Sequence, residues 1–252
     1  MPVMEKQEKI RLDQLLVKQQ LADTTIKAQA IIMAGKVLVN EQKETKPGTT
    51  VSTTAILRLL GETSKYVSRG GLKLEGALKE FGINALGKFC LDIGASTGGF
   101  TDCLLQQGAT HVIALDVGHS QLDWKIRSEK RVTVIEKYNF RNAKAEDFAE
   151  NKITLATIDV SFISLDKILP ALFPILASGG EVVSLVKPQF EAKREQVGPG
   201  GIITDPTVHT QVREKIREVA LALGFTILGE CQSSIQGTDG NTEFFIYLQK
   251  PN

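Results

Sequence analysis

A glycine-rich turn carries the residue types most suggestive of chemistry. The run Leu91-Asp-Ile-Gly-Ala-Ser-Thr-Gly-Gly-Phe100 follows an apolar strand pattern and precedes a helical pattern, a layout typical of nucleotide-type cofactor sites. Asp92 stands at the predicted strand end, where its carboxylate would repel a pyrophosphate but attract the ammonium and sulfonium groups of S-adenosylmethionine (SAM). The turn therefore predicts SAM binding and methyl transfer. Two alternatives stay open, a plain strand–helix connection and a capping role for Asp92.

Acidic residues after the next two strand patterns extend this predicted cofactor site. Asp116 ends the run Ile113-Ala-Leu-Asp, roughly 20 residues further on, where ribose hydroxyls are held in SAM and NAD sites alike. Asp147 and Phe148 follow the third predicted strand and suit the edge and face of an adenine, or else they simply begin a helix. The predicted cofactor contacts are Asp92, Gly94, Ser96, Thr97, Gly98, Gly99, Phe100, Asp116, Asp147 and Phe148.

Polar side chains also follow two later strand patterns. Asp159 ends the run Thr157-Ile-Asp, and Lys187 comes directly after an apolar run. In an open α/β sheet these strand ends line the ligand crevice, where a lysine is costly unless it is paired or used. Glu243 begins an apolar strand, and Lys73 lies on a predicted helix, where it either enters the crevice or stays solvated. The pattern predicts a second, lysine-containing half of the site.

Composition limits the classes of protein that remain. The chain has 252 residues, 42% of them hydrophobic, and a net charge of +1, as in an ordinary globular protein. Residues 1–60 contain nine Lys and Arg against six Asp and Glu, so the positive charge is concentrated there. Three cysteines without disulfide or metal spacing favour a reducing compartment. With no signal-peptide core and no membrane-spanning run in the sequence, we expect a cytoplasmic protein without a metal.

The patterning divides the chain into two domains and a connection. The pattern of residues 1–60 predicts a small α+β domain with two short helices followed by a strand and a hairpin. The second helix is expected to begin at Thr24-Thr25 and to end at Gly35. Residues 61–80 predict a polar linker and a leading helix. Residues 81–252 predict the larger domain.

The larger domain alternates strand and helix patterns. This alternation favours an α/β fold with a seven-stranded, mostly parallel sheet and helices on both faces. Together with the glycine-rich turn, it predicts a Rossmann-like SAM-dependent methyltransferase. The last two strands follow each other directly, which predicts one antiparallel edge strand. The predicted strands span 88–94, 111–117, 132–138, 153–160, 181–187, 225–233 and 243–249, and the predicted helices span 98–107, 120–128, 164–177 and 206–223.

Several motifs together are similar to those of the TlyA family. They are Asp92-Ile-Gly-Ala-Ser-Thr-Gly-Gly-Phe100, Asp159-Val-Ser-Phe-Ile-Ser-Leu, Lys187-Pro-Gln-Phe-Glu191 and Gly240-Asn-Thr-Glu-Phe-Phe245. Three N-terminal runs resemble the S4 RNA-binding domain: Arg11-Leu-Asp-Gln-Leu-Leu, Lys27-Ala-Gln-Ala-Ile-Ile and Gly35-Lys-Val-Leu-Val-Asn. The resemblance implies an N-terminal S4-like RNA-binding domain joined to an FtsJ-like methyltransferase domain. It also implies 2′-O-methylation of cytidine riboses in ribosomal RNA, in the large subunit and in some members also in the small subunit. The family is often labelled "hemolysin".

The same resemblance implies a catalytic tetrad and an RNA-binding surface. The tetrad transfers to Lys73, Asp159, Lys187 and Glu243. We expect Lys187 to act as the base for the ribose hydroxyl and Lys73 to favour its neutral form, because like charge and burial both lower a lysine pKa. The two carboxylates would orient the lysines and the substrate. Arg11 and Lys27 also fall near predicted helix starts on a basic face, which either contacts RNA phosphates or is simply solvated. The predicted RNA contacts are Arg11, Lys27, Lys36 and Arg69.

Ribosomal RNA or a ribosomal subunit is the partner that this interpretation predicts. Three other classes compete with it: a membrane-active hemolysin-type protein, a catalytically inactive RNA-binding protein and a small-molecule methyltransferase. The lack of an apolar spanning run argues against the first class. The complete set of site residues argues against the second, and the N-terminal domain argues against the third.

Overall fold

The computed structural model describes residues 9–19, 21–60, 65–148, 152–237 and 240–252. The chain divides into two compact units, Met1–Ser64 and Lys65–Asn252. Three sequence predictions fall partly outside the described residues: the segment 1–8 of the first predicted domain, the start 61–64 of the predicted linker, and the tip 238–239 between the last two predicted strands.

The first unit combines two short helices with small antiparallel sheets. Strand β1 pairs with β4, and β2 pairs with both β3 and β5. Its core is built from apolar residues of both helices and of β2, including Leu12, Leu16, Ala28, Ile32 and Val37. Its elements are β1 (Lys9–Arg11), α1 (Leu12–Lys18), α2 (Thr25–Met33), β2 (Val37–Val39), β3 (Gln42–Glu44), β4 (Thr50–Ser52) and β5 (Leu57–Leu59).

Local chemistry explains where the elements of the first unit begin and end. The Thr24 hydroxyl accepts a hydrogen bond from the backbone N–H of Lys27 at 3.2 Å and so caps α2, as the sequence predicts. Asn40 and Glu41 both adopt a positive φ, 49° and 66°, which closes the two-residue turn between β2 and β3. The segment predicted as strand and turn is therefore a tight hairpin.

The second unit is an α/β fold with one central sheet. Described 3₁₀ turns connect several of its elements, among them Ala145–Phe148 and Leu165–Lys167. The helices and strands are α3 (Gly70–Phe81), β6 (Phe89–Ile93), α4 (Gly99–Gln106), β7 (His111–Leu115), α5 (Trp124–Arg127), β8 (Val132–Ile135), β9 (Ile153–Ile158), α6 (Leu169–Ile175), β10 (Leu176–Val186), α7 (Pro188–Glu191), α8 (Pro206–Ala222), β11 (Thr226–Gln232) and β12 (Phe244–Gln249).

The central sheet has seven strands in the order β11-β12-β10-β9-β6-β7-β8. The five strands from β10 to β8 are mutually parallel, which confirms the predicted fold class. The sequence predicts that the antiparallel strand lies at an edge of the sheet. In the structure this strand is β12, and it lies between β10 and the edge strand β11. Strand β12 is mostly buried whereas β11 is largely half-exposed, so the more apolar strand of the pair takes the inner position.

Alternate residues of the parallel strands face two separate apolar layers. Leu91 and Ala156 pack in the layer that includes residues of α6 and α8. Their neighbours Cys90 and Leu155 pack in the layer that includes residues of α3 and α4. Because both faces are covered, the parallel strands are mostly apolar, and most polar side chains of the sheet lie where the strands end. Among the described residues, no helix is long and apolar enough to cross a membrane.

Two predicted helices of the second unit are shorter than their patterns. The pattern over 164–177 becomes a 3₁₀ turn followed by α6, and Pro174 lies in the last turn of that helix, where β10 takes over at Leu176. The pattern over 120–128 becomes the four-residue α5, which begins only after Asp123 caps it by accepting from the N–H of Lys125 at 2.8 Å. In both cases a local cap or proline overrides the apolar periodicity.

Candidate active site

Two adjacent cavities lie at the carboxyl ends of the parallel strands, where ligands bind in open α/β sheets. The larger has a volume of about 320 Å³ and the smaller about 280 Å³. Both are lined by Gly94, Ser96, Asp159, Ser161 and Phe162, so the two cavities share a wall. The structure therefore offers one site with two compartments.

The larger compartment brings together all four residues of the predicted tetrad, from four separate chain segments. Lys73 Nζ on α3 lies 2.5 Å from Glu243 Oε2, and their side chains are only 7% and 3% exposed. Lys187 Nζ lies 2.5 Å from Asp159 Oδ1 and donates a hydrogen bond to Ser161 Oγ at 3.0 Å. Lys73 is thus a buried site residue and not a solvated helix lysine.

Each lysine is matched by its own carboxylate. Lys73 faces Glu243 and Lys187 faces Asp159, so that opposite charges are paired. Buried charges are tolerated when they are paired in this way. Without substrate, the compartment is lined by two ion pairs.

The glycine-rich turn allows the close backbone approaches on which both compartments depend. Gly94 adopts a φ of 87°, and a Cβ there would collide with the backbone oxygen of Asp159. A Cβ at Gly99, the first residue of α4, would collide with Ser68 Oγ and lie 2.9 Å from the backbone nitrogen of Gly71. Glycine at these positions lets the ends of β6 and β9, and the starts of α3 and α4, come together.

The predicted contacts within the turn occupy different places. Gly94, Ser96, Thr97, Gly99 and Phe100 line the larger compartment. Gly98 does not line either compartment. It has a φ of 95°, and a Cβ at this position would lie only 2.9 Å from a side-chain carbon of Leu122.

Asp92 supports the turn from below and does not line either compartment. It is fully buried, and its carboxylate accepts hydrogen bonds from Thr101 Oγ1 at 2.6 Å and Thr157 Oγ1 at 3.0 Å. Burial raises the pKa of Asp92 to about 7, although both threonine hydroxyls act to lower it. The sequence predicts that this carboxylate faces the positive groups of the cofactor. In the described structure this carboxylate instead joins β6 to α4 and β9 through the two threonine hydroxyls, and it lies outside the lining of both compartments. This supporting role resembles the alternative in which Asp92 stabilises the turn.

Asp116 lines the smaller compartment at the end of β7, in the place expected for a ribose contact. Its two carboxylate oxygens accept hydrogen bonds from the backbone N–H groups of Ser96 at 2.8 Å and Gly118 at 2.6 Å. Each carboxylate oxygen retains acceptor capacity for a further donor. Asp116 therefore joins the two loops at the compartment and can still bind a diol.

Asp147 and Phe148 lie behind the smaller compartment, and neither lines it in the described structure. Phe148 is a core residue that packs on Phe140 and Tyr138. Asp147 accepts a hydrogen bond from the Tyr138 hydroxyl. Burial, followed by this carboxylate, raises the pKa of Tyr138 to about 12. Tyr138, Asn139 and Phe140 line the smaller compartment instead. They lie in the same connection between β8 and β9 but earlier in the chain than the predicted residues, and the spacing of the sequence gave no signal of this.

A strained aromatic residue stands between the two compartments. Phe162 has a φ of 63° and is 90% exposed, and it lines both cavities. Its ring packs at 5.0 Å from that of Phe190, whose face lies 5.9 Å from Lys187 Nζ. A left-handed backbone is uncommon for a bulky residue and is typical of functional loops. The run Asp159-Val-Ser-Phe gave no signal of this conformation.

The predicted RNA contacts are engaged in different ways. In the first unit, Arg11 donates two hydrogen bonds to Asp13, at 3.1 and 2.7 Å, which lower the pKa of Asp13 to about 2. Lys27 is exposed and paired with Asp23 at 2.7 Å, and Lys36 is exposed. In the second unit, Arg69 lines the larger compartment and donates to the backbone oxygen of Gln236 at 2.7 Å.

Comparison with known proteins identifies two family models along the chain. The model described as FtsJ-like methyltransferase matches residues 66–250, and the S4 domain model matches residues 10–57.

Similar proteins span almost the whole chain. The 16S/23S rRNA (cytidine-2′-O)-methyltransferase TlyA of Mycobacterium tuberculosis is 42% identical, covering 95% of this chain and 89% of that protein. Hemolysin A of Brachyspira hyodysenteriae is 42% identical, covering 95% of this chain and 99% of that protein. A solved structure from Streptococcus thermophilus that carries a hemolysin name is 49% identical, covering 98% of this chain and 90% of that chain, with a TM-score of 0.75.

The buried state of Asp92 predicts a pH-dependent stability. Its pKa of about 7 in the folded chain lies above the ordinary value of 3.8. Between these values the folded chain holds a proton that the unfolded chain has released, so this contribution to stability falls as pH rises from about 4 to about 7. Asp92→Asn removes the titration and keeps the shape. We therefore expect the variant to gain thermal stability relative to the parent as the pH rises from 5 to 8. The difference between their melting temperatures should grow by a few times the roughly 2–4 °C that corresponds to each kcal/mol.

Thermal melts of both proteins at the two pH values provide this measurement. A difference that stays constant across the range would mean that Asp92 does not change its protonation there.

Proposed function

This chain belongs to the FtsJ-like methyltransferase family, and we propose that it transfers the methyl group of SAM to the 2′-hydroxyl of a cytidine ribose in ribosomal RNA. The observation that carries the proposal is the larger compartment, where two lysine–carboxylate pairs meet beside the glycine-rich turn. Large-subunit RNA is the proposed target and small-subunit RNA a second one to be tested, since the M. tuberculosis relative is named for both. We propose that the reaction takes place in the cytoplasm, where ribosomal RNA is assembled into subunits.

The two compartments suit the two halves of SAM. Asp116 offers free acceptor capacity in the smaller compartment, which Tyr138 and Phe140 line with aromatic surface suited to a nucleoside. The turn from Gly94 to Gly99 lines the larger compartment, where backbone can approach the methionine part. Asp159 lines both compartments. Its carboxylate therefore lies at the boundary where the positive groups of the cofactor would bind.

The proposed chemistry depends on removing the hydroxyl proton as the oxygen attacks. Bound SAM supplies an electrophilic methyl group, whose bond to sulfur breaks as the bond to the ribose oxygen forms. Lys187 takes the hydroxyl proton, so it must first have passed its own extra proton to Asp159 or to solvent. Lys73, held by Glu243, supplies a positive charge for the developing oxyanion. Holding the hydroxyl in line with the methyl group contributes much of the rate.

Other features suit RNA as the acceptor. Phe162 and Phe190 present aromatic surface at the larger compartment, and enzymes that act on RNA commonly stack an unpaired base on such rings. The S4 domain match supports a second RNA contact in residues 10–57. Lys27, Lys36 and Arg69 are proposed to contact phosphate groups. Arg11 is proposed to do so while it also holds Asp13.

Replacing the proposed base should separate catalysis from cofactor binding. Lys187→Ala should lower the rate of methyl transfer by about 10²- to 10⁴-fold, while the Kd for SAM changes little, because the smaller compartment is intact. The measurement is transfer of labelled methyl from SAM to ribosomal subunits, with isothermal titration for SAM. Lys193→Ala, an exposed lysine six residues along the chain, is the control and should keep the parent rate. Near-normal turnover by Lys187→Ala would remove Lys187 from this role.

The first unit should contribute affinity for RNA and not for SAM. Deleting residues 1–60 should weaken binding to ribosomal subunits by about tenfold or more, because two linked contacts become one. The lost part should also be the more salt-dependent one, since it carries the excess of lysine and arginine. Binding titrations at two salt concentrations measure both effects, and SAM affinity of the shortened chain is the control. Equal affinity for ribosomal subunits before and after deletion would contradict an RNA-binding role.

A further inference from the structure

A buried carboxylate outside the tetrad lies close to it along the chain. Glu191 ends α7, four residues after Lys187, and its side chain is only 2% exposed. Burial raises the pKa of Glu191, although its hydrogen-bond donors act to lower it. A buried carboxylate of this kind requires several partners, and the chemistry proposed above does not use it.

The partners of Glu191 come from two other segments. Its Oε1 accepts a hydrogen bond from the backbone N–H of Leu165 at 2.7 Å, and its Oε2 accepts one from the Ser164 hydroxyl. Lys215 on α8 donates to Oε2 and to the backbone oxygen of Glu191, both at 3.1 Å, and to Ser164 Oγ at 3.2 Å. One side chain thus joins the end of α7, the loop after β9, and α8.

The loop held by Glu191 is the one that carries half of the active site. It leaves β9 at Asp159, whose N–H donates to the backbone oxygen of Ile93 at 2.9 Å, and it reaches its second anchor at Leu165. Between the two anchors lie Ser161, which accepts from Lys187, and the strained Phe162. A left-handed phenylalanine persists only where its surroundings restrain it.

The helix on the other side of this contact, α7, begins directly after Lys187. Residue Lys187 precedes the first turn of α7 and Glu191 ends it, so the helix is too short to bend between them. The distance of 2.5 Å between Lys187 Nζ and Asp159 Oδ1 therefore depends on how α7 is placed against the loop. Glu191 makes a buried polar contact between α7 and this loop, through Ser164 and Leu165.

We propose that Glu191 is a positioning residue for methyl transfer: by binding Ser164 and Leu165, it holds the loop of Asp159, Ser161 and Phe162 in register with Lys187. The inference rests on the proposed function of the same site. Glu191 does not line either compartment, so its effect on the reaction passes through the residues that do.

The test is the variant Glu191→Gln in the full chain, compared with Glu230→Gln. Glutamine keeps the size of Glu191 but turns an amide N–H₂ toward a group that also donates. Glu230 is a matched control, because its carboxylate is 9% exposed and is likewise bound by α8, through Arg213 at 2.6 Å and Arg217 at 2.7 Å. The two variants lose comparable ion pairs to the same helix, but only one of them touches the loop.

We expect Glu191→Gln to lower kcat for methylation of ribosomal subunits by about 10- to 100-fold, the effect of a displacement near 1 Å at reacting groups. The Kd for SAM should stay within about twofold, because Asp116 and the turn are untouched. Glu230→Gln should keep both values even where its melting temperature falls as far. Ser164→Ala, which removes one hydroxyl and keeps the carboxylate, should lower kcat by a smaller factor and provides the test if Glu191→Gln does not fold.

Two outcomes overturn the inference. One is a kcat of the parent size in Glu191→Gln or, where that variant does not fold, in Ser164→Ala. The other is an equal loss of kcat in Glu230→Gln, which would mean that general stability and not positioning is responsible. If the parent protein itself transfers no methyl group to ribosomal subunits, the proposed function fails instead, so the two failures are distinguishable.

Discussion

Pairing of buried charge is the constraint on which this molecule depends. Lys73 and Glu243 are almost fully buried, and neither would be tolerated there without the other. Their segments are 170 residues apart in sequence, so the pair forms only when α3 and the start of β12 have both reached the same end of the sheet. Lys187 and Asp159 impose a similar condition on β10 and β9. The fold can therefore be understood as the framework that lets four charged groups neutralise one another around one compartment.

Close approach of backbone is the second condition, and the glycine-rich turn meets it. Gly94 lets the end of β6 pass against Asp159, and Gly99 lets α4 begin beside α3. Beneath the turn, the carboxylate of Asp92 binds two threonine hydroxyls and so fixes the strand, the helix and β9 relative to one another. The same few residues thus place the cofactor half of the site next to the half that carries the lysines.

Local pattern predicted the elements well but not the partners of their polar side chains. The alternation of strands and helices, the cap at Thr24 and the strand ends that carry Asp116, Asp159 and Lys187 all follow from periodicity and turn chemistry. The partners of Arg11 and Asp92 do not, since a hydrogen bond to Asp13 or Thr157 leaves no mark in the spacing. The inner position of β12 depends on which of the last two strands pairs with β10, and local spacing does not encode that choice. The four residues of the tetrad follow from the resemblance to a family, and the pairing of each lysine with one carboxylate is seen only in the structure.

The inner position of β12 has a consequence for how the protein comes into being. Strand β12 follows every other strand in the chain, yet it separates β11 from β10 in the finished sheet, and Glu243 stands at its start. A chain emerging from the ribosome can form the glycine-rich turn and bring Lys187 to Asp159 before this strand exists. Lys73 then has no carboxylate to meet it. Assembly of the pair between Lys73 and Glu243 is therefore among the last events of synthesis, and a chain that ends before Glu243 has an incomplete acceptor site.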